Sequence, residues 1–184
     1  LTCVVVLAAT DAASTATAHT ITVTITDTND QAPVYQAADA NDVFTVAENT
    51  ATSTVIDNGV ITDTDTGNSF TCTLGGADAG DFTCTISGNN AQLKFAAVPD
   101  YENPADADEN RVYIVTVLIH DDVANDANGA TTLTITVTDL NDQTPVYQAA
   151  DGDDAISVAE NTATSVVIDN GVITDTDTGN SFTC

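Results

Sequence analysis

The sequence predicts an all-β fold, a tandem series of antiparallel β-sandwiches with about seven short strands in each repeat. Three observations predict it: a 44-residue block recurs at a fixed offset, apolar residues alternate with period two, and Gly/Asn-rich turns punctuate the chain.

The recurrence sets the domain organisation. Asn29 to Cys72 returns as Asn141 to Cys184, 112 residues on, with 37 of the 44 aligned positions identical. The preceding segments echo at the same offset, Ile21 to Asp27 matching Leu133 to Asp139. Residues 1–28 therefore read as the C-terminal strands of one incomplete repeat, 29–140 as a complete repeat, and 141–184 as the N-terminal strands of the next. The apolar start, Leu1 to Ala9, has no initiator Met and no basic stretch, so the chain is expected to be a segment of something longer.

Taken in order, the alternating runs are Val23 and Ile25; Phe70, Cys72 and Leu74; Phe82, Cys84 and Ile86; and Tyr113, Val115, Val117 and Ile119. Val and Thr fill them, and β-branched side chains suit a pleated, half-buried surface. Asn58-Gly59, Thr66-Gly67-Asn68, Gly75-Gly76, Gly88-Asn89-Asn90 and Asn128-Gly129 are read as the turns between them. No amphipathic helix is expected.

Charge narrows the function classes. Against 28 Asp and Glu stand only Lys94 and Arg111, a formal charge of −26. That removes the basic footprint needed for nucleic acid or an anionic membrane. No stretch approaches the roughly 18 apolar residues of a membrane span, so no direct membrane insertion is expected in this window. Carboxylates at such density repel one another unless high salt or bound metal neutralises them.

The carboxylates gather at turns. Asp27-Thr28-Asn29-Asp30 and Asp139-Leu140-Asn141-Asp142 each close a strand shortly before a proline, Pro33 or Pro145. Asp63-Thr64-Asp65, Asp175-Thr176-Asp177 and His120-Asp121-Asp122 follow apolar runs, and Glu48, Glu160 and Asp100-Tyr101-Glu102 complete the set. Ca²⁺ takes six to eight oxygens from carboxylates, Asn carbonyls and backbone on flexible loops, and Asp-x-Asn-Asp supplies that mixture from four consecutive residues. Asp39, Asp57, Asp106, Asp108 and Asp126 fall outside these motifs and are read as solvated surface acids.

These motifs resemble the cadherin repeat. Asp139-x-Asn141-Asp142-Gln143-x-Pro145 looks like the family's D-x-N-D-N-x-P, Ala47-Glu48-Asn49 like its P-E-N, and Asp100-Tyr101-Glu102 like D-Y-E. Asp63-x-Asp65 looks like D-x-D, and Tyr113-x-Val115-x-Val117-x-Ile119-x-Asp121 like Y-x-L-x-V-x-A-x-D. Gln31, Gln143 and Ala47 depart from the pattern, standing where the family has Asn, Asn and Pro. The resemblance implies seven-stranded, immunoglobulin-like Greek-key sandwiches with Ca²⁺ at the junctions between repeats. By it, Glu48, Asp100, Glu102, Asp139, Asn141, Asp142, Asp175 and Asp177 converge at the second junction. Asp27, Asn29, Asp30, Asp63, Asp65 and Asp121 serve the first, with Asn68 and Asn180 adding backbone carbonyls.

Cys72 and Cys84 share the inward phase of their runs. With those strands in facing sheets, a bond between them would cross the core and contribute around 3 kcal/mol through loop closure. A disulfide is the expected state, two buried thiols the alternative. Cys184, the copy of Cys72, and Cys3, at the Tyr113 position of its repeat, have no evident partners. Lone His19 and His120 and paired acids without an aromatic-lined cleft give no enzyme signature.

The resemblance implies an extracellular or cell-surface, calcium-stiffened array acting as the stalk of an adhesion protein; a structural filament assembled from copies of the chain is the alternative. Its partners are the neighbouring repeats and other copies of itself. By the same resemblance, outward Thr on the strands can carry O-linked sugars, while the absence of Asn-x-Ser/Thr argues against N-glycosylation.

Overall fold

The computed structural model describes residues 1–9, 12–13, 18–122, 129–150, 152 and 155–183. Asp126, Asn128 and Cys184 lie outside them. Among the described residues, 29–140 hold eight strands: β3 (Val34–Gln36), β4 (Val43–Ala47), β5 (Asp57–Thr62), β6 (Thr71–Gly75), β7 (Phe82–Ser87), β8 (Asn90–Phe95), β9 (Val112–His120) and β10 (Thr131–Thr138). Before them, β1 (Thr2–Leu7) and β2 (His19–Thr24) form an antiparallel pair; after them, β11 (Val146–Gln148) pairs antiparallel with β12 (Val172–Thr174).

Two four-stranded sheets face each other, in the orders β3-β5-β8-β7 and β4-β10-β9-β6. The connections β5 to β6 and β8 to β9 pass between sheets, the Greek-key arrangement of a sandwich. Two details depart from the expected seven-stranded antiparallel pattern. The first strand is divided, with β3 beside β5 in one sheet and β4 beside β10 in the other. The β4·β10 pairing is also parallel, Val43 opposite Thr134 and Ala47 opposite Thr138.

Period-two alternation works as anticipated where both neighbours are sheet strands. Tyr113, Val115, Val117 and Ile119 of β9 and Leu133, Ile135 and Val137 of β10 are buried against Ile61, Ala91, Leu93, Phe82 and Phe95 of the opposite sheet. At one end Phe82 stacks on Phe95 (4.8 Å between centroids) while Tyr113 meets both edge-on.

Asn58-Gly59 is not a turn but part of β5, opposite Gln92 and Ala91. The ring of Tyr35 lies against Gly59, where a Cβ would stand 2.3 Å from Cε2, so glycine is required by close approach rather than by a bend. Asp57 and Asp106 are not solvated either: they are 0% and 3% exposed. Asp57 accepts from the Tyr35 hydroxyl and the Ala38 amide (2.8 Å). Asp106 accepts from the amides of Asn110 (2.7 Å) and Arg111 (3.1 Å). Each carboxylate satisfies backbone donors that an irregular segment would otherwise bury unpaired.

Cys72 and Cys84 form the expected disulfide, with Cα atoms 6.1 Å apart. Since β6 and β7 are the outer strands on the same side of their sheets, the bond staples the open edge of the sandwich rather than its centre. Cys3 is a free, exposed thiol.

Candidate metal centre at the repeat junctions

Four segments deliver the second junction's carboxylates. Glu48 directly follows β4, and its amide donates to Thr138 O (2.9 Å), extending the β4·β10 pairing by one residue. The adjacent Asn49, at φ 60°, donates its amide to Pro99 O (2.9 Å) and bends the chain away. Glu102 sits in the loop between β8 and β9, Asp139 and Asp142 in the linker after β10, and Asp177 in the turn after β12.

Oxygens of Glu48, Glu102 and Asp139 lie within 4.8 Å of one another, as do oxygens of Glu102, Asp142 and Asp177. Glu102 belongs to both groups. Glu48, 2% exposed, is itself committed to backbone: Oε2 accepts from the Tyr101 amide (2.9 Å) and Oε1 from the Leu140 amide (2.7 Å). It thus ties the loop that carries Glu102 to the linker.

The unpaired atoms are the informative ones. Both oxygens of Glu102, Oδ1 of Asp139 and Oδ1 of Asp177 are buried without a hydrogen-bond partner. Buried unpaired carboxylate oxygens are costly, and here they face one another, with Arg111 near enough for its charge to act on Asp139. Burial, followed by the charges of Glu48 and Asp177, pushes the Glu102 carboxyl up to about 7. Oxygens only, some charged, converging from loops and a linker, form a donor set for a hard cation such as Ca²⁺.

The first junction repeats part of this pattern. The amides of Asp30 and Gln31 donate to Asp65 Oδ2, both at 2.7 Å, as the Gln143 amide donates to Asp177 Oδ2 at 2.7 Å. One end of the Asn29 side-chain amide lies 3.1 Å from Asp65 Oδ2 and 3.0 Å from Asp121 Oδ2. With its nitrogen there, Asn29 bonds to both; with its oxygen there, three oxygens meet at one point. Asp63 adds a buried, unpartnered Oδ2. Among the described residues no group of three carboxylates at this junction is as close as those at the second.

Not every residue expected at these junctions is drawn in. Asp100 is exposed and accepts from the Asn103 amide (2.9 Å), Asn141 is exposed, and Asp175 Oδ1 accepts from the Asp177 amide (3.0 Å). Asn68 and Asn180 turn their side-chain nitrogens to the carbonyls of Asp65 (3.4 Å) and Asp177 (2.7 Å). Asp30 is exposed, and the Gln31 side chain donates to its Oδ1 (3.0 Å), as Gln143 does to Asp142 (2.7 Å). The glutamines that depart from the family pattern therefore hold the second linker aspartate.

Two residues to which the sequence assigned no site role also matter. Thr66 and Thr178 each grip the linker aspartate before them. The Thr66 amide and hydroxyl both donate to Asp27 Oδ2 at 2.8 Å, and Thr178 does the same to Asp139 Oδ2. These bonds, hydroxyl first and amide second, hold the carboxyls of Asp27 and Asp139 below the usual range.

No family model and no curated protein matches the chain. Solved structures do match. The Protocadherin GammaB4 extracellular domain is similar at 26% identity and a TM-score of 0.62, over 97% of this chain and 27% of that one. The Protocadherin gammaB7 EC3-6 cis-dimer structure is similar at 25% identity and 0.62, over 97% and 40%. The chain is built from cadherin-like repeats. Human CDH23 EC21-23, at 20% identity and a TM-score of 0.65 over 97% of this chain and 55% of that one, agrees on the fold. This chain spans about a quarter to a half of the length of these three structures. The two acidic groups lie between the strands of the sandwich that ends with β10 and the β11·β12 pair that follows it. No described helix is long and apolar enough to cross a membrane.

Proposed function

We propose that this chain is a segment of an extracellular adhesion or stalk protein whose cadherin-like repeats are locked end to end by Ca²⁺. One observation carries the reading: carboxylate oxygens from a repeat base, a linker and the following repeat converge within 4.8 Å, several of them buried and unpaired. Glu102 of the repeat base and Asp177 beyond the linker, with oxygens within 4.8 Å, repel by about 3 kcal/mol at an effective dielectric of about 20, so the junction opposes its own closure until a cation enters.

Glu48, Glu102, Asp139, Asp142 and Asp177 would hold the ions at the second junction, and Asn29, Asp63, Asp65 and Asp121 at the first. The cation supplies charge neutralisation and a common ligand for both neighbours, which fixes their angle. Extracellular modules bind Ca²⁺ at about 10⁻⁴ to 10⁻³ M, so the sites fill outside a cell and empty inside one. The near-identity of the repeated blocks fits a stalk or a filament better than a set of individually specialised recognition modules.

Calorimetric titration of the chain with Ca²⁺, Mg²⁺ and Na⁺ tests the assignment. Saturable Ca²⁺ binding that Asp142→Ala and Glu102→Ala weaken supports it. A response that NaCl reproduces at equal ionic strength sinks it.

A further inference from the structure

The Asp-x-Asp-Thr-Gly turn occurs twice, at Asp63 to Gly67 and Asp175 to Gly179, and its threonine does the same thing both times. Thr66 bonds Asp27 and Thr178 bonds Asp139, each over 39 residues, each through both the backbone amide and the side-chain hydroxyl, and each to Oδ2 of the linker aspartate. These contacts run from the linker to the following repeat, so they cross the junction without any cation. An ionised carboxylate only accepts, which makes both donors threonine's own.

At the second junction the consequence for the carboxylate is visible. Oδ2 of Asp139 is occupied by Thr178, whereas Oδ1 is buried without a partner beside Glu48 and Glu102. The threonine therefore divides the labour of the carboxylate, one oxygen to the neighbour and one to the acidic group.

We propose that Thr66 and Thr178 are positioning residues that clasp the linker aspartate across each junction, and that Thr178 thereby aims the free oxygen of Asp139 at the cation. This rests on the calcium reading above for its second half, while the clasp itself forms in metal-free protein. Asp139 then offers the ion a single oxygen, and its side chain is already fixed before binding. Fixing a rotamer-rich side chain at the moment of binding weakens affinity by about threefold to tenfold, so this is the range that the hydroxyl governs. The clasp also restricts the angle between repeats at low Ca²⁺, so that stiffening begins from a partly ordered junction.

The test uses the 184-residue chain and its Thr66→Val/Thr178→Val and Thr66→Ser/Thr178→Ser variants. Valine keeps the shape and loses the hydroxyl; serine keeps the hydroxyl. In EDTA, amide hydrogen exchange is expected to show Thr66 and Thr178 protected, and Asp27→Ala/Asp139→Ala to abolish that protection. Calorimetry with Ca²⁺ is expected to give about threefold to tenfold weaker binding for the valine variant and affinity within about twofold of the parent for the serine variant. Unprotected threonine amides in EDTA overturn the clasp. Valine binding as tightly as the parent, or serine weakened as much as valine, overturns the positioning role. If the parent chain binds no Ca²⁺, the functional reading and the positioning role fail together, and the exchange experiment still decides the clasp separately.

Discussion

Replacing Glu102 by Gln should change the sign of its effect on stability when calcium is added. Glu102 has both carboxylate oxygens buried and unpaired, and it belongs to both acidic groups. Without metal, its charge is a liability. An oxygen of Glu48 lies within 4.8 Å, which corresponds to about 1 kcal/mol of repulsion if screened as in water and about 3 kcal/mol at an effective dielectric of about 20. For a repeat of this size about 1 kcal/mol moves the thermal midpoint by about 4 °C, so Glu102→Gln should melt about 4 to 12 °C higher in EDTA at pH 8. With calcium at a hundredfold excess over Kd, each ion adds about 2.7 kcal/mol to the parent, and two ions outweigh that gain. The parent should therefore overtake the variant.

Scanning calorimetry in EDTA and in saturating CaCl₂ reads both arms. The pH dependence supplies an internal check. In the unfolded chain Glu102 ionises near 4.5, while in the fold burial and its acidic neighbours raise the value to about 7. The metal-free fold thus binds the extra proton, and its stability falls as pH rises from about 4.5 through about 7. Glu102→Gln should remove this slope. If the variant keeps the same rank in EDTA and in calcium, the acidic group is not a metal centre and the reasoning is wrong.

The disulfide and the glycine in β5 give two further predictions. Cys72→Ala/Cys84→Ala should lose around 3 kcal/mol, about 12 °C by calorimetry, with calcium binding retained; an unchanged midpoint would remove the staple at the sandwich edge from the account. Gly59→Ala places a methyl 2.3 Å from the Tyr35 ring and should cost about 1–3 kcal/mol in urea unfolding, while Gly88→Ala, at an open turn with φ +60°, should leave Tyr35 undisturbed in its near-UV spectrum. Equal near-UV changes in the two variants would contradict the packing described for Tyr35.

Alternation made the central strands legible because β9 and β10 each have a neighbour on both sides and one face in the core. The division of the first strand was not legible. β4 pairs with β10, whose residues lie roughly ninety positions away, and nothing local in Val43 to Ala47 records a parallel partner. Asp57 looked like any acidic loop residue because its role depends on Tyr35, which donates to it from another strand. The pair could have been found through recurrence: Tyr147 and Asp169 repeat it 112 residues later. In the site, the likeness to the cadherin repeat pointed to Glu48, Glu102, Asp139, Asp142 and Asp177, and their oxygens gather in two groups. Asp100 and Asp175 were expected on the same grounds and lie outside both acidic groups, each giving an oxygen to a nearby backbone amide. Thr66 and Thr178 escaped notice because a threonine among many on a β-rich chain carries no signal until its partner is seen.

The most direct test of the account is the length of the chain as a function of calcium. Small-angle scattering on the parent, Asp139→Ala and Asp142→Ala chains, with thermal midpoints recorded in parallel, reads stiffness and stability together. The account predicts a longer, narrower distribution and a higher midpoint for the parent on reaching millimolar Ca²⁺, with both changes reduced in each variant. Equal changes in all three chains, or the same change produced by NaCl alone, would contradict it.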